Sequence, residues 1–189
     1  LEQVRRAILS MPAVTEIERR DRALFALAIL TGMRDSALVS LRLKHIDIDR
    51  EFVDQDPNQV RTKASKQIFT FFVPVGDDLK AIVKDWVKYL REELLFGNDD
   101  PLFPRTKVGV NEKTGFAAVG FEKQCWSTAA AVRKIVRDAY TRVGLPYFNP
   151  HLLRNTLAQV GEQRCRTPEE FKAWSQNIGH ESVMTTFRN

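Results

Sequence analysis

The spacing of apolar residues changes twice along the chain, and this limits the folds that it can adopt. Over residues 1–10 and again over residues 16–31, apolar side chains recur at helical spacing. Between Ile46 and Val75 they largely alternate with polar ones, as in β-strands. Helical spacing then returns at residues 77–95. The pattern predicts an α+β fold that is mainly α-helical, with a small three-stranded antiparallel sheet.

The boundaries of the predicted elements follow from capping and breaking residues. Helices are expected at residues 1–10, 16–31, 35–44, 77–95, 127–143, 150–164 and from Thr167 onward, and strands at 46–53, 60–63 and 68–75. Gly32 is a natural end for the second helix, and Thr167 with Glu170 predicts a capping box. Residues 96–120 contain two prolines and four glycines, which predicts a long irregular surface segment.

The composition is typical of one folded domain over residues 1–189. Hydrophobic residues make up 43% and charged residues 28%, so disorder is not expected, and no apolar run is long enough to cross a bilayer. Cys125 and Cys165 fit neither a disulfide framework nor a zinc site, and no signal peptide opens the chain, which predicts a cytoplasmic protein. The first residue is Leu1, which suggests a piece of a longer protein.

Basic residues are concentrated in one segment. The whole chain has a net charge of +5. Residues 121–166 carry eight Lys or Arg and three Asp or Glu, which also gives +5. Two interpretations stay open for this segment: a solvated basic helix face, or a surface that binds phosphates.

Two motifs in the first half place cations at the ends of predicted elements. In Thr31-Gly32-Met33-Arg34, the arginine follows a helix-ending glycine, beside free backbone donors that can hold an oxyanion. The turn between the strands at 60–63 and 68–75 carries Lys63 and Lys66, either of which suits a proton donor. Each motif alone is also typical of an ordinary surface arginine or turn lysine.

Two motifs in the second half contain two of the three histidines. The spacing of three puts His151 and Arg154 on one helical face, where they can converge on a phosphate; the alternative is an amphipathic helix with a capping histidine. Gly179 allows a tight turn that aims His180 inward. His45 is expected to be structural or exposed.

In this order, Thr-Gly-x-Arg, a hairpin lysine, His-x-x-Arg and Gly-His resemble the catalytic domain of the tyrosine recombinases, or phage integrase family. The match covers nearly the whole chain. The resemblance implies an enzyme that breaks and rejoins duplex DNA at specific sites through a covalent 3′-phosphotyrosine, without a metal or other cofactor. It also implies double-stranded DNA as the partner, further protomers assembled on that DNA, and a smaller DNA-binding domain ahead of Leu1.

The resemblance also implies roles for individual residues. Arg34 and Arg154 match the two arginines that clamp the scissile phosphate, and His180 matches the residue that hydrogen-bonds one of its non-bridging oxygens. Lys63 matches the general acid that protonates the departing 5′ oxygen. His151 matches the histidine that assists proton transfer at the nucleophile.

The assignment of the general acid has an alternative. Lys66 competes with Lys63 because the alignment of this turn could slip by three residues. In the family an acidic residue usually stands three positions after the first arginine, where this chain has Ala37. The orientation of Arg34 is therefore expected to depend on Asp35 or on a residue of the sheet.

The nucleophilic tyrosine of the family is expected just beyond Asn189, where the sequence stops. Truncation before that tyrosine, or a tyrosine supplied by a neighbouring subunit, would explain this. The three tyrosines of the chain are assigned to the core or the surface: Tyr89, Tyr140 and Tyr147.

Other functions stay open on the sequence alone. A type IB topoisomerase would share the cationic residues but need no paired sites, whereas a non-catalytic DNA-binding module would lack the nucleophile. A basic helical scaffold for another protein would have no affinity for DNA. Recognition of a DNA sequence could come from residues 96–120 or from the helix that begins near Ser127.

Overall fold

The computed structural model describes residues 1–62, 66–111 and 115–179. The helices in these ranges are α1 (Glu2–Leu9), α2 (Glu16–Thr31), α3 (Asp35–Leu38), α4 (Asp77–Glu92), α5 (Ala130–Arg142), α6 (Leu152–Arg164) and α7 (Pro168–Asn177). The strands are β1 (Ile46–Asp47), β2 (Phe52–Gln55), β3 (Ile68–Phe71), β4 (Arg105–Asn111) and β5 (Gly115–Glu122). This confirms the predicted α+β class. None of the described helices combines the length and apolarity that a membrane crossing needs.

Helix α2 forms the centre of the core. Thr15 and Glu18 cap its start reciprocally, each side chain accepting a hydrogen bond from the other residue's backbone N–H. All residues from Ala23 to Thr31 are buried, because α4, α5 and α6 pack around this part of the helix. The helix ends at Gly32 with φ 61°, as the sequence predicted.

The three-stranded antiparallel sheet has the order β1-β2-β3, but its strands differ from those predicted. The predicted strand at 46–53 is two strands, because Asp47 accepts a hydrogen bond from the N–H of Arg50 and the chain turns back at Glu51, with φ 55°. Residues 60–62 are not a strand, because β2 takes the place beside β3. Lys63 lies outside the described residues.

Tertiary hydrogen bonds also shorten the predicted helix at 35–44. Helix α3 stops at Leu38, and only a 3₁₀ turn at Leu43–His45 follows it. Between these elements the chain pairs with residues 100–102: Leu43 donates to the carbonyl of Asp100, and Leu102 donates to the carbonyl of Leu41. These hydrogen bonds replace the backbone hydrogen bonds that a helix continuing to residue 44 would form.

The prediction of an irregular segment at 96–120 holds for residues 96–104 but is wrong for the rest of the described segment, where β4 and β5 pair as a hairpin. Val110 and Phe116 face each other across its ladder and are 78% and 81% exposed. Arg105 and Glu122 form an ion pair at its base. Three of the four glycines that suggested irregular structure lie in these strands: Gly109, Gly115 and Gly120.

The predicted capping box at Thr167 is formed only in part. The Thr167 hydroxyl accepts a hydrogen bond from the N–H of Glu170, as expected. The Glu170 carboxylate accepts instead from the N–H of Arg166. Helix α7 therefore has a one-sided cap.

A buried arginine joins α2 to the base of the hairpin. Arg20 is only 3% exposed and donates to Asp21, to the carbonyl of Pro104 (2.9 Å) and to the hydroxyl of Thr106 (2.8 Å). Its guanidinium also lies 4.6 Å from the centre of the Trp126 ring. Each of these contacts depends on the buried charge.

We expect Arg20→Ala to lower the free energy of unfolding by about 3–5 kcal/mol, as the loss of one partner from a buried charged network does. Urea unfolding measures this change. Arg19→Ala is the matched control, because Arg19 is the exposed neighbour that contacts the Tyr89 ring, and we expect it to cost about 1 kcal/mol or less. Equal losses in the two variants would contradict the structural role of Arg20.

Candidate active site

Three elements that carry sequence motifs meet at Gly32. A Cβ atom at this position would lie 2.9 Å from Leu157 Cδ1 in α6 and 3.6 Å from the Ile178 side chain after α7. The missing side chain, together with the left-handed backbone, lets both helices approach the turn that leads to Arg34. The Thr-Gly-x-Arg motif is thus next to α6, which carries Arg154.

Arg154 lies buried at this junction, with an exposed fraction of 3%. Its Nη1 atom donates to the carbonyl of Gly32 at 2.8 Å. Its Nε and Nη2 atoms are buried and have no hydrogen-bond partner among the described residues. Buried donors of a charged group are costly to leave unpaired, so these two atoms indicate a site for an anion.

Arg34 is half-buried, and its charge acts on Arg154. Burial and, to a lesser extent, the charge of Arg34 lower the pKa of Arg154 to about 10, so the guanidinium stays protonated at neutral pH. No carboxylate forms an ion pair with either arginine in the described ranges. Two neighbouring cations attract a polyanion such as a nucleic acid backbone.

Asp35 does not orient Arg34, contrary to one of the two expectations from the sequence. Its carboxylate accepts hydrogen bonds from the N–H of Ser36 at 2.9 Å and from Nε of Arg133 in α5 at 3.0 Å. Ala37, at the position that is usually acidic, is buried in the core. Asp35 therefore fixes α5 against the arginine turn.

The His-x-x-Arg motif gives its two residues different environments. His151 is exposed at the start of α6, and its N–H donates to the Asn149 side chain. Arg154, one turn later, points into the junction described above. Lys63 and His180 lie outside the described residues, so their proposed roles stay predictions.

Lys66 lines a groove between β3 and α7, which we call the β3–α7 groove. Its volume is about 1250 Å³, and Arg34 and Gly179 also line it. Phe69 and Phe71 contribute exposed aromatic rings to it. The arginine turn and the strand after the lysine turn therefore open onto the same space.

The remaining titratable candidates are structural. His45 is buried: its Nδ1 accepts a hydrogen bond from the N–H of Arg42, and desolvation lowers its pKa. Tyr140 is also buried, which raises its pKa to about 12, while the Tyr89 hydroxyl donates to Glu16. These contacts indicate that His45, Tyr89 and Tyr140 stabilise the fold and do not take part in catalysis.

The basic segment at 121–166 contains basic side chains in two different environments. On the solvent face of α5 lie Arg133, Lys134 and Arg137, all exposed. Arg154 instead is buried beside Gly32. A solvated basic face and a buried cationic site therefore coexist in this segment.

The sequence is similar to that of bacterial recombinases. The tyrosine recombinase XerC of Corynebacterium glutamicum (strain ATCC 13032) is 29% identical over 170 residues, which cover 88% of this chain and 45% of that protein. The tyrosine recombinase XerD of Neisseria meningitidis serogroup B (strain MC58) is 27% identical over 186 residues, covering 98% and 55%. The chain thus spans about half the length of these relatives.

The fold is similar to those of solved recombinases. XerA recombinase matches with a TM-score of 0.65 and 22% identity, covering 98% of this chain and 55% of that one. XerH recombinase, solved bound to its difH substrate in a pre-cleavage complex, matches with a TM-score of 0.63 and 18% identity, covering 98% and 47%.

One family model matches this chain. It agrees with the order of the motifs, with the junction at Gly32 and with the similarities to recombinases. The model of the phage integrase family matches residues 2–188, nearly the whole chain. The chain therefore belongs to the phage integrase family.

Proposed function

We propose that this chain is the catalytic domain of a site-specific DNA recombinase that cleaves and rejoins duplex DNA through a 3′-phosphotyrosine. The observation that carries the proposal is the buried guanidinium of Arg154, which has two donors without a partner in the described part of the chain and lies near the charge of Arg34. A phosphodiester supplies the oxygens that such donors require. Membership of the phage integrase family supports the same substrate.

In the proposed reaction, the phenol oxygen of a tyrosine attacks the scissile phosphorus and the bond from phosphorus to the 5′ oxygen breaks. The phenolic proton leaves toward His151, and Lys63, or Lys66 in its place, donates a proton to the departing 5′ oxygen. Negative charge grows on the non-bridging oxygens during this step. Arg34 and Arg154 are held in place before the bond breaks, and they stabilise that charge.

The remaining parts of the proposal extend beyond the described residues. His180 donates a hydrogen bond to a non-bridging oxygen, and the tyrosine lies past Asn189 or comes from a second protomer. Further protomers assemble on the DNA. XerH recombinase and the Tn1549 transposon integrase were each solved with DNA, which supports DNA as the partner.

Trapping on a nicked suicide duplex tests the function directly. The full-length protein, including the residues beyond Asn189, is incubated with duplexes that carry its own recombination site. We expect a covalent protein–DNA product, and we expect exchange of strands only between paired sites. A covalent product without any dependence on paired sites would favour a topoisomerase, and binding without a covalent product would favour a DNA-binding module.

The exposed basic face of α5 is expected to contribute phosphate contacts. Replacing both Lys134 and Arg137 by alanine should reduce the slope of log affinity against log salt by about 1 to 2, as the loss of one or two phosphate contacts does. Replacing Lys88 and Arg91 of α4 removes the same charge from another exposed face and should leave the slope unchanged. Equal slopes for all three proteins would exclude α5 from the interface.

A further inference from the structure

The side chain of Asn177, at the end of α7, binds the backbone of β3 at two points. Its Oδ1 atom accepts a hydrogen bond from the N–H of Phe71 at 2.7 Å, and its Nδ2 atom donates to the carbonyl of Phe71 at 2.9 Å. Strand β3 has β2 on its other side and lies at the edge of the sheet. The amide therefore takes the place of a neighbouring strand and closes this edge.

The turn that follows Asn177 contacts the elements that carry both arginines. Ile178 is buried next to Gly32, the residue to which Arg154 donates. A Cβ atom on Gly179 would lie 3.8 Å from Nη2 of Arg154 and 3.7 Å from Ile68 Cδ1 in β3. The end of α7 is thus packed between the arginine site and β3.

We propose that Asn177 is a positioning residue, which fixes β3, and with it Lys66, relative to Arg34 and Arg154. This inference rests on the proposed function, because it assigns Asn177 a part in the protonation of the leaving oxygen. Asn177 itself does not touch the phosphate. It acts through β3, because Lys66 lies only two residues before Ile68, the first residue of that strand.

A pair of suicide duplexes separates positioning of the acid from a general structural role. One duplex has the natural 5′ oxygen at the scissile bond and the other has a 5′-bridging sulfur, which leaves as a thiolate and needs no proton. We expect Asn177→Ala in the full-length protein to cleave the oxygen duplex about 10- to 100-fold more slowly than the unmodified protein, as a displaced catalytic group does. On the sulfur duplex its rate should be close to that of the unmodified protein.

The matched control is Gln163→Ala, because Gln163 is an exposed residue of the neighbouring helix α6 with the same kind of side-chain amide. We expect it to cleave both duplexes at the unmodified rate. Normal cleavage of the oxygen duplex by Asn177→Ala, or equal slowing on both duplexes, would overturn the inference alone. Failure of the unmodified protein to attach to either duplex would overturn the proposed function and the inference with it.

A second variant protects the test against a loss of folding. In Asn177→Asp the carboxylate still accepts from the N–H of Phe71, but it repels the carbonyl to which Nδ2 donates in the native protein. Protonation restores a donor, so the rate relative to the unmodified protein should recover as the pH falls toward about 4, where an ordinary aspartate is half-protonated. A relative rate that does not vary with pH would contradict positioning through these two hydrogen bonds.

Discussion

Replacing Arg154 by methionine is expected to abolish covalent attachment of the full-length protein to DNA without destabilising the fold. The guanidinium is buried, lies near the charge of Arg34 and has two donors that no residue of the ranges 1–62, 66–111 and 115–179 pairs with. Methionine fills a similar volume without burying a charge, which offsets the lost hydrogen bond to Gly32. We expect cleavage to fall by about 10²-fold or more and the free energy of unfolding to stay within about 1 kcal/mol or to rise.

Trapping on the suicide duplex and urea unfolding measure the two effects separately. Arg142→Met is the control, because Arg142 is an exposed arginine at the end of α5, and we expect it to change neither quantity appreciably. Near-normal attachment by Arg154→Met would contradict the catalytic assignment. A large loss of stability would mean that the charge of Arg154 is needed for folding rather than for chemistry.

The second large effect is expected at the lysine turn. If Lys63 is the general acid, Lys63→Ala should cleave the natural duplex about 10²- to 10⁴-fold more slowly, because the 5′ oxygen is then expelled without a proton. The duplex with a 5′-bridging sulfur should restore the rate, since a thiolate is a good leaving group. Lys66→Ala is the matched variant, because it removes the same group three residues away.

The pattern of rescue decides between the two lysines. Slow cleavage by Lys66→Ala that the sulfur duplex rescues, with normal behaviour of Lys63→Ala, would transfer the role to Lys66. Slow cleavage by both variants without rescue on sulfur would contradict general-acid catalysis from this turn. The full-length protein with both lysines intact provides the reference rate on each duplex.

The two segments that carry the arginines could be predicted from the sequence because local signals mark each of them, whereas their meeting was implied only by the family resemblance. Gly32 ends a strongly apolar helix, and Arg34 follows it at once. The spacing in the His-x-x-Arg motif placed Arg154 one helical turn into α6. These features need only information from a few neighbouring residues.

Features that depend on distant partners could not be predicted in this way. Asn177 and Phe71 are 106 residues apart, and no local pattern indicates that an amide will pair with a strand edge. The helix predicted at 35–44 gave way to bonds from residues 100–102 for the same reason. The acidic residue at position 35 was noted, but its partner Arg133 lies in α5.

The sequence did not predict the hairpin of β4 and β5, and the reason is different. Its apolar residues alternate, but glycines interrupt the strands, and Val110 and Phe116 face solvent instead of a core. Glycine is a strong sign of irregular structure, so it outweighed the alternation. The signal that could have predicted the hairpin is the alternation of apolar and other residues from Lys107 to Val110, which continues after Gly115.

In the proposed reaction, Arg34 and Arg154 together neutralise the charge of one scissile phosphate. A suicide duplex with an uncharged methylphosphonate at that position, compared with the natural phosphate, measures this most directly. Arg154→Met should lose most of its attachment rate on the phosphate but much less on the methylphosphonate, because no charge then needs to be neutralised. Equal losses on the two duplexes would contradict the claim.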